Sequence, residues 1–147
     1  MNPIDELKQE HEEIERELIE LDSIIEVMDE EINYPNLIHV FKKLCEIWDE
    51  HEEKEERLFP ILEKERLKPP VETMLFEHKL LKPHRDALKK AIDSGNDFEL
   101  KEVLENNCVV IIKTLREHIN DEDEILYTIT LEEFTPEEIK ELYEKNG

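Results

Sequence analysis

Two histidine–glutamate pairs, His51/Glu55 and His118/Glu122, lie within stripes of otherwise apolar side chains. This feature limits the fold more than any other, because residues four apart share one face of an α-helix. The stripe around the first pair is Leu37, Phe41, Leu44, Trp48, His51, Glu55, Leu58 and Leu62, an unbroken run of four- and three-residue steps. The stripe around the second is Leu104, Cys108, Ile111, Leu115, His118, Glu122, Ile125 and Ile129. A helix that buries such a stripe also buries the polar pair inside it.

The pattern recurs at an offset of 67 residues. His11 corresponds to His78, His51 to His118 and Glu55 to Glu122. Apolar neighbours follow, with Leu7 matching Met74, Ile14 matching Leu81, Leu44 matching Ile111, Trp48 matching Leu115 and Leu58 matching Ile125. Even the acid before the first histidine recurs, as Glu10 and Glu77. The chain therefore reads as two similar helical hairpins related by a pseudo-twofold axis.

Helical periodicity predicts long helices over about 4–30, 37–66, 71–93 and 98–130. Inward positions are Ile4, Leu7, Ile14, Leu18, Leu21, Ile25 and Met28 in the first, and Val71, Met74, His78, Leu81, Leu88 and Ile92 in the third. The breaks are Asn33-Tyr34-Pro35-Asn36, Lys68-Pro69-Pro70 and Ser94-Gly95-Asn96-Asp97, and Pro60 is expected to kink or shorten the second helix. Thr135-Pro136-Glu137-Glu138 has the cap, proline and glutamate of a helix start, so a tail helix is expected over about 135–146. The expected fold is all-α: an up-down-up-down four-helix bundle with a short C-terminal helix, forming a single domain over residues 1–147.

In such a bundle His11, His51, Glu55, His78, His118 and Glu122 fall at the same level and converge in the core. An unsatisfied buried polar group costs roughly 2–7 kcal/mol, and an unpaired carboxylate more. A pair of divalent cations offsets that cost. Imidazole and carboxylate suit iron, manganese or zinc, and two carboxylates can bridge two metals. Without thiolates in the set, a Cys-rich structural zinc site is not expected. The ferritin-like di-iron pattern needs Glu three residues before His, and Trp48, Leu75 and Leu115 stand there instead.

Charge narrows the partners. The sequence carries 41 acidic against 19 basic residues, a net charge of −22, which repels phosphate backbones and argues against nucleic acid. No apolar run approaches a membrane span, and the acidic start is not expected to act as a signal peptide. Cys45 and Cys108 do not make a disulfide framework and read as reduced thiols, so the expected location is cytoplasmic.

Glu10-His11, His51 to Glu55 followed by Leu58-Phe59-Pro60, Glu77-His78, and His118 to Glu122 followed by Ile125-Leu126-Tyr127 together resemble the hemerythrin-like, or HHE cation-binding, family. The resemblance covers Leu7 to about Leu131. It implies that His11, His51, His78 and His118 are terminal ligands of two iron ions. Glu55 and Glu122 would bridge them, beside an oxo or hydroxo group. Oxygen-carrying hemerythrins have a fifth histidine four residues after the position of His78; here Lys82 stands there, and Glu15 at the repeat-related position. The set is thus similar to four-histidine, two-glutamate members linked to repair of damaged iron–sulfur clusters and to iron or oxygen sensing. The repair proteins also carry a Cys-containing N-terminal domain, which these 147 residues lack.

Other polar residues are assigned blander places. His84 reads as an outer or surface histidine, His39 as solvated, Glu52 as an exposed acid and Cys108 as a small core residue. Arg85 is a candidate partner for a carboxylate near the site, and Trp48 packs one turn before His51. The runs Glu12-Glu13 and Asp121 to Glu124 read as solvated faces apart from Glu122. The expected function is a di-iron protein that binds oxygen or a related small molecule such as nitric oxide or peroxide, for sensing, storage or detoxification. The alternatives are a di-iron enzyme that reduces peroxide or nitric oxide or assists cluster repair, and a bundle that reports iron by folding. The residues point to no protein partner.

Overall fold

The computed structural model describes residues 2–65 and 67–146. Among these there is no strand. Helix α1 spans Pro3–Glu26, α2 Tyr34–Lys64 and α3 Lys68–Ser94. Helix α4 runs over 97–133. Its α-helical stretches Asp97–Val103, Val109–Asp121 and Thr128–Glu133 are joined by π-helical turns at Leu104–Cys108 and Glu122–Tyr127. The short α5 covers Pro136–Asn146.

Side-chain caps explain most of the starts. Asn2, Asn33 and Asn96 accept from the backbone N–H groups of Asp5, Asn36 and Phe98, supplying partners that a first helical turn lacks. At α5 the Thr135 hydroxyl and the Glu138 carboxylate exchange bonds with each other's backbone N–H, both at 3.1 Å, as the sequence pattern predicts. Gly95 closes α3 with φ 61, a left-handed conformation that glycine adopts without strain.

Prolines behave differently from expectation. Lys68-Pro69-Pro70 is not the break but the first turn of α3, where a missing N–H costs nothing. The second helix, expected to reach Arg66, ends at Lys64; Arg66 itself lies outside the described residues. Helices α2 and α3 continue through Pro60 and Pro83. Both prolines are exposed, as are Glu56 and Lys79 four residues earlier, so each freed carbonyl lies on a solvated face. Helix α1 stops at Glu26, short of the expected 30; Ile24 is buried near its end, while Ile25 and Met28, both expected inward, pack half-buried against the same core.

Cross-helix pairs define the packing. Glu10 meets Lys54 and Glu17 meets Lys43 between α1 and α2. Asp49 meets Lys89 and Glu55 meets His78 between α2 and α3. His84 meets Asn107 and Glu77 meets His118 between α3 and α4. Glu15 meets Arg116 and His11 meets Asp123 between α1 and α4. In each case one residue number rises as the other falls, so the four helices form a closed ring of antiparallel neighbours.

The core is split. One apolar cluster holds Ile14, Leu18, Leu44, Trp48, Leu81, Leu88, Ile111 and Leu115 among others. A second holds Ile4, Leu7, Leu58, Phe59, Met74, Leu126 and Tyr127, with Ile139 of α5 packed onto it. The histidine–glutamate level lies between them.

The π turn at Glu122–Tyr127 changes the inward register. Ile125, expected inward beside the site, is 40% exposed, whereas Leu126, Tyr127 and Thr130 are fully buried. A π turn takes up one extra residue, so the side chains beyond it are rotated relative to an unbroken α-helix. The buried set Leu58, Phe59 and Leu62 of α2 is therefore matched by Leu126, Tyr127 and Thr130, one position beyond the repeat.

Cys45 and Cys108 are both free and buried. Burial pushes the Cys45 thiol up to about 11, aided by Asp49, and the Cys108 thiol up to about 12. A thiol reacts as its thiolate. Neither is expected to alkylate with iodoacetamide in the native protein at pH 8, while both should alkylate in denaturant. Mass spectrometry reads the outcome, and rapid native labelling of either would contradict this packing.

Candidate metal centre

All six polar stripe residues meet at the level between the two apolar clusters. His11 comes from α1, His51 and Glu55 from α2, His78 from α3, and His118 and Glu122 from α4. Glu55 and Glu122 are completely buried, and His11, His51 and His118 nearly so. His78 retains slight exposure.

The imidazoles share one orientation. Each turns Nε2 inward to a glutamate: His51 and His78 approach Glu55 Oε1 at 3.0 and 3.4 Å. His11, His51 and His118 approach Glu122 Oε1 at 3.1, 3.3 and 3.3 Å. Each turns Nδ1 outward to another carboxylate. His11 meets Asp123 at 2.9 Å, His51 meets Glu10 at 3.0 Å and His118 meets Glu77 at 2.7 Å. The His78 Nδ1 faces Glu52 more loosely, at 3.8 Å. With Nδ1–H donating outward, the tautomer leaves Nε2 as an inward lone pair.

Charge follows this division. Burial holds His11 and His118 below the usual imidazole range, despite the opposing pull of Asp123 and Glu77. Burial also disfavours the charged form of His51, but the Glu55 and Glu10 carboxylates outweigh it and push the group up to about 9. Burial works to raise Glu55, yet His51 and His78 bring it far below the ordinary carboxylate range. Glu10 and Glu77 are lowered against burial by their bonds to His51, Lys54 and His118.

These donors fit a cation better than they fit one another. Both oxygens of Glu55 and the Oε2 of Glu122 are buried without a hydrogen-bond partner. The Nε2 atoms of His11 and His51 stand 3.1 Å apart, where one of them must carry a proton for the pair to bond. A proton on His51 relieves only part of this conflict. A metal ion accepts from nitrogen and oxygen alike and relieves all of it. The potential ligand atoms of Glu55, His78, His118 and Glu122 lie within 4.8 Å of one another, as do those of His11, His51 and Glu122. Each glutamate thus faces imidazoles of both sequence repeats, so the two repeat-related triads are not separate sites.

The outer residues divide between expected and unexpected places. Arg85 forms an ion pair with Glu52 and lies over the Trp48 ring, 5.4 Å from its centre. Glu52 is consequently half-buried beside His78 instead of exposed. His84 bonds Asn107 and Glu15 pairs with Arg116, both outside the cluster; Lys82 and His39 are exposed. The recurrence of Glu10 and Glu77 signalled their shared place behind His51 and His118. No sequence signal marked Asp123, which read as a solvated acid.

Among the described residues no helix is long and apolar enough to cross a membrane. A family model described as the hemerythrin HHE cation binding domain matches residues 2–130. No curated protein gives a significant match. No solved structure does so either.

Proposed function

Since the chain belongs to the hemerythrin HHE cation-binding domain family, we propose that its histidine–glutamate cluster holds two non-haem iron ions and binds a small molecule such as oxygen, nitric oxide or peroxide. Sensing, storage or detoxification would follow from that binding. His11, His51, His78 and His118 would be terminal ligands, and Glu55 and Glu122 would bridge the metals beside an oxo or hydroxo group. The observation that carries this reading is the common orientation of the imidazoles, with Nε2 toward buried glutamates and Nδ1 toward outer acids.

When bound, the iron would supply open coordination positions and redox capacity for a diatomic or peroxide ligand. The chain's own residues do the rest. The two apolar clusters exclude bulk water above and below the centre. Glu10, Glu77 and Asp123 hold the imidazoles in orientation and tautomer. A surface groove of about 250 Å³, lined by Phe76, Glu77, Leu80, Thr114, Glu117, His118 and Asp121, reaches the His118 edge and offers a small molecule an approach. The unpaired thiols favour a reducing compartment, and the cytoplasm belongs to the same proposal.

Metal analysis of anaerobically purified protein, with absorption spectra before and after oxygen, tests the proposal. Two irons per chain are expected, with a charge-transfer band that appears on oxygenation and reverses on its removal. A loaded protein whose spectrum ignores oxygen, nitric oxide and peroxide would overturn it. Glu77→Gln should weaken iron binding by roughly 10–100-fold, because the outer acid orients His118 and raises its basicity. A chelator-competition titration measures this, and unchanged affinity would remove Glu77 from the centre.

A second reading arises from Lys82. Four residues after His78 it is exposed and supplies no fifth imidazole from that position. A more open centre suits reduction of peroxide or nitric oxide. Sustained turnover under reducing conditions would favour this enzyme over a binding protein, and a stable stoichiometric adduct would count against it.

A further inference from the structure

Three of the four inward-turned imidazoles are locked from behind, and the fourth is not. The Nδ1 atoms of His11, His51 and His118 bond Asp123, Glu10 and Glu77 at 2.9, 3.0 and 2.7 Å. The Nδ1 of His78 stands 3.8 Å from Glu52, too far for a hydrogen bond. The His78 side chain is also the most open of the four, 10% exposed against at most 5% for the others. Water can meet its Nδ1–H there, but water holds no fixed direction.

Sequence and packing together account for the gap. The repeat partner of Asp123 is Glu56, which is exposed. Helix α4 changes register at the π turn that begins with Glu122, whereas α2 passes Glu55 as an unbroken α-helix. The acid that faces His78 is instead Glu52, and it is engaged elsewhere. Its Oε2 pairs with Nη1 of Arg85, whose Nε faces Asp49 at 3.6 Å and whose guanidinium lies over the Trp48 ring at 5.4 Å. Arg85 and Glu52 are both largely buried, so breaking their pair is costly. The first repeat has no such device, because Leu18 stands at the position of Arg85.

The potential ligand atoms gather His78 with His118 in one group and His11 with His51 in the other. With Glu55 and Glu122 shared as bridges, the imidazoles distinguish the two positions. An outer acid fixes the direction and tautomer of a ligating ring and raises its basicity, and losing one costs roughly 10–100-fold in metal affinity. We infer that the two metal positions are unequal, the one at His78 and His118 being the weaker, and that Arg85 sets this difference by withholding Glu52 from His78. The inference rests on the proposed two-metal centre and adds which position fills last. Arg85 is a positioning residue that acts through Glu52 on the His78 ring.

Zinc is a suitable probe, being diamagnetic and matched to imidazole. Metal-free protein is titrated with zinc against a competing chelator. Wild type should take two ions with affinities at least about 10-fold apart. Arg85→Met should close that gap by tightening the weaker ion about 10-fold or more, because the freed Glu52 bonds His78. Methionine keeps an unbranched stem over Trp48, and the buried Leu18 at the repeat-related position shows that an apolar side chain suits the packing, so the variant should fold. Two readouts separate this cause from the mere loss of a positive charge. Lys89→Met removes a cation one turn away and frees only Asp49, so the gap should persist. Nitrogen-15 NMR of the zinc-loaded forms should show the His78 Nδ1–H exchanging quickly with water in wild type and protected in Arg85→Met, with His11, His51 and His118 protected in both. Equal affinities in wild type, an unchanged gap or an unprotected His78 in Arg85→Met, or equal tightening by Lys89→Met would each overturn the inference while two bound ions leave the centre standing. Wild type that takes up fewer than two ions would take down the two-metal reading together with it.

Discussion

Glu122→Gln is expected to reduce bound metal from two ions per chain to one or none. Its Oε1 lies within 3.3 Å of the Nε2 atoms of His11, His51 and His118, so one carboxylate serves imidazoles from three helices. An amide of the same shape keeps one oxygen and replaces the other acceptor with two donors, which a cation repels. The affinity loss should exceed the roughly 10–100-fold expected from losing an outer partner. Glu124→Gln is the control. Glu124 is exposed in the same acidic run, and its loss should leave metal content unchanged. Equilibrium loading and then elemental analysis reads both. Full two-metal occupancy in the Glu122 variant would remove it from the bridging role.

Metal removal should also have a large effect on stability. The polar level interrupts the core between its two apolar clusters, and three carboxylate oxygens there lack partners. Cations bound only by the folded chain add stability by mass action, about 4 kcal/mol at a thousandfold excess over Kd. For a chain of this size that is about 10 °C in melting temperature. Chelator-treated protein is therefore expected to melt about 10 °C below the iron-loaded form, by circular dichroism at matched concentration. Identical melting curves would mean that the proton on His51 balances Glu55 and Glu122 unaided. They would also exclude a bundle that reports iron by folding.

Much of this arrangement is legible in the residues. The six candidate ligands stand where the apolar period demands Leu or Ile, and burying polar groups without compensation is too costly to be incidental. Their recurrence at an offset of 67 is enough to place them at one level of an antiparallel bundle. Helix starts are legible where the cap chemistry is local, as at Thr135 and Glu138. Proline is a less reliable signal, because its effect depends on which carbonyl it frees. Pro60 and Pro83 free theirs on exposed faces, and the helices run on.

The sequence alone thus determined the all-α class, the bundle's paired hairpins and the set of residues that meet in its core, because these depend on periodicity and the cost of burial. Tertiary structure decided everything that turns on side-chain direction and register. It set which imidazole nitrogen faces inward, and it joined Glu10, Glu77 and Asp123 to His51, His118 and His11 across helix boundaries. It also turned Ile125 out and Tyr127 in through one π turn, which a fixed step of 3.6 residues does not anticipate. The histidine–glutamate pairs determined that there is a polar centre, whereas the packing around them decided that its two sides are not the same.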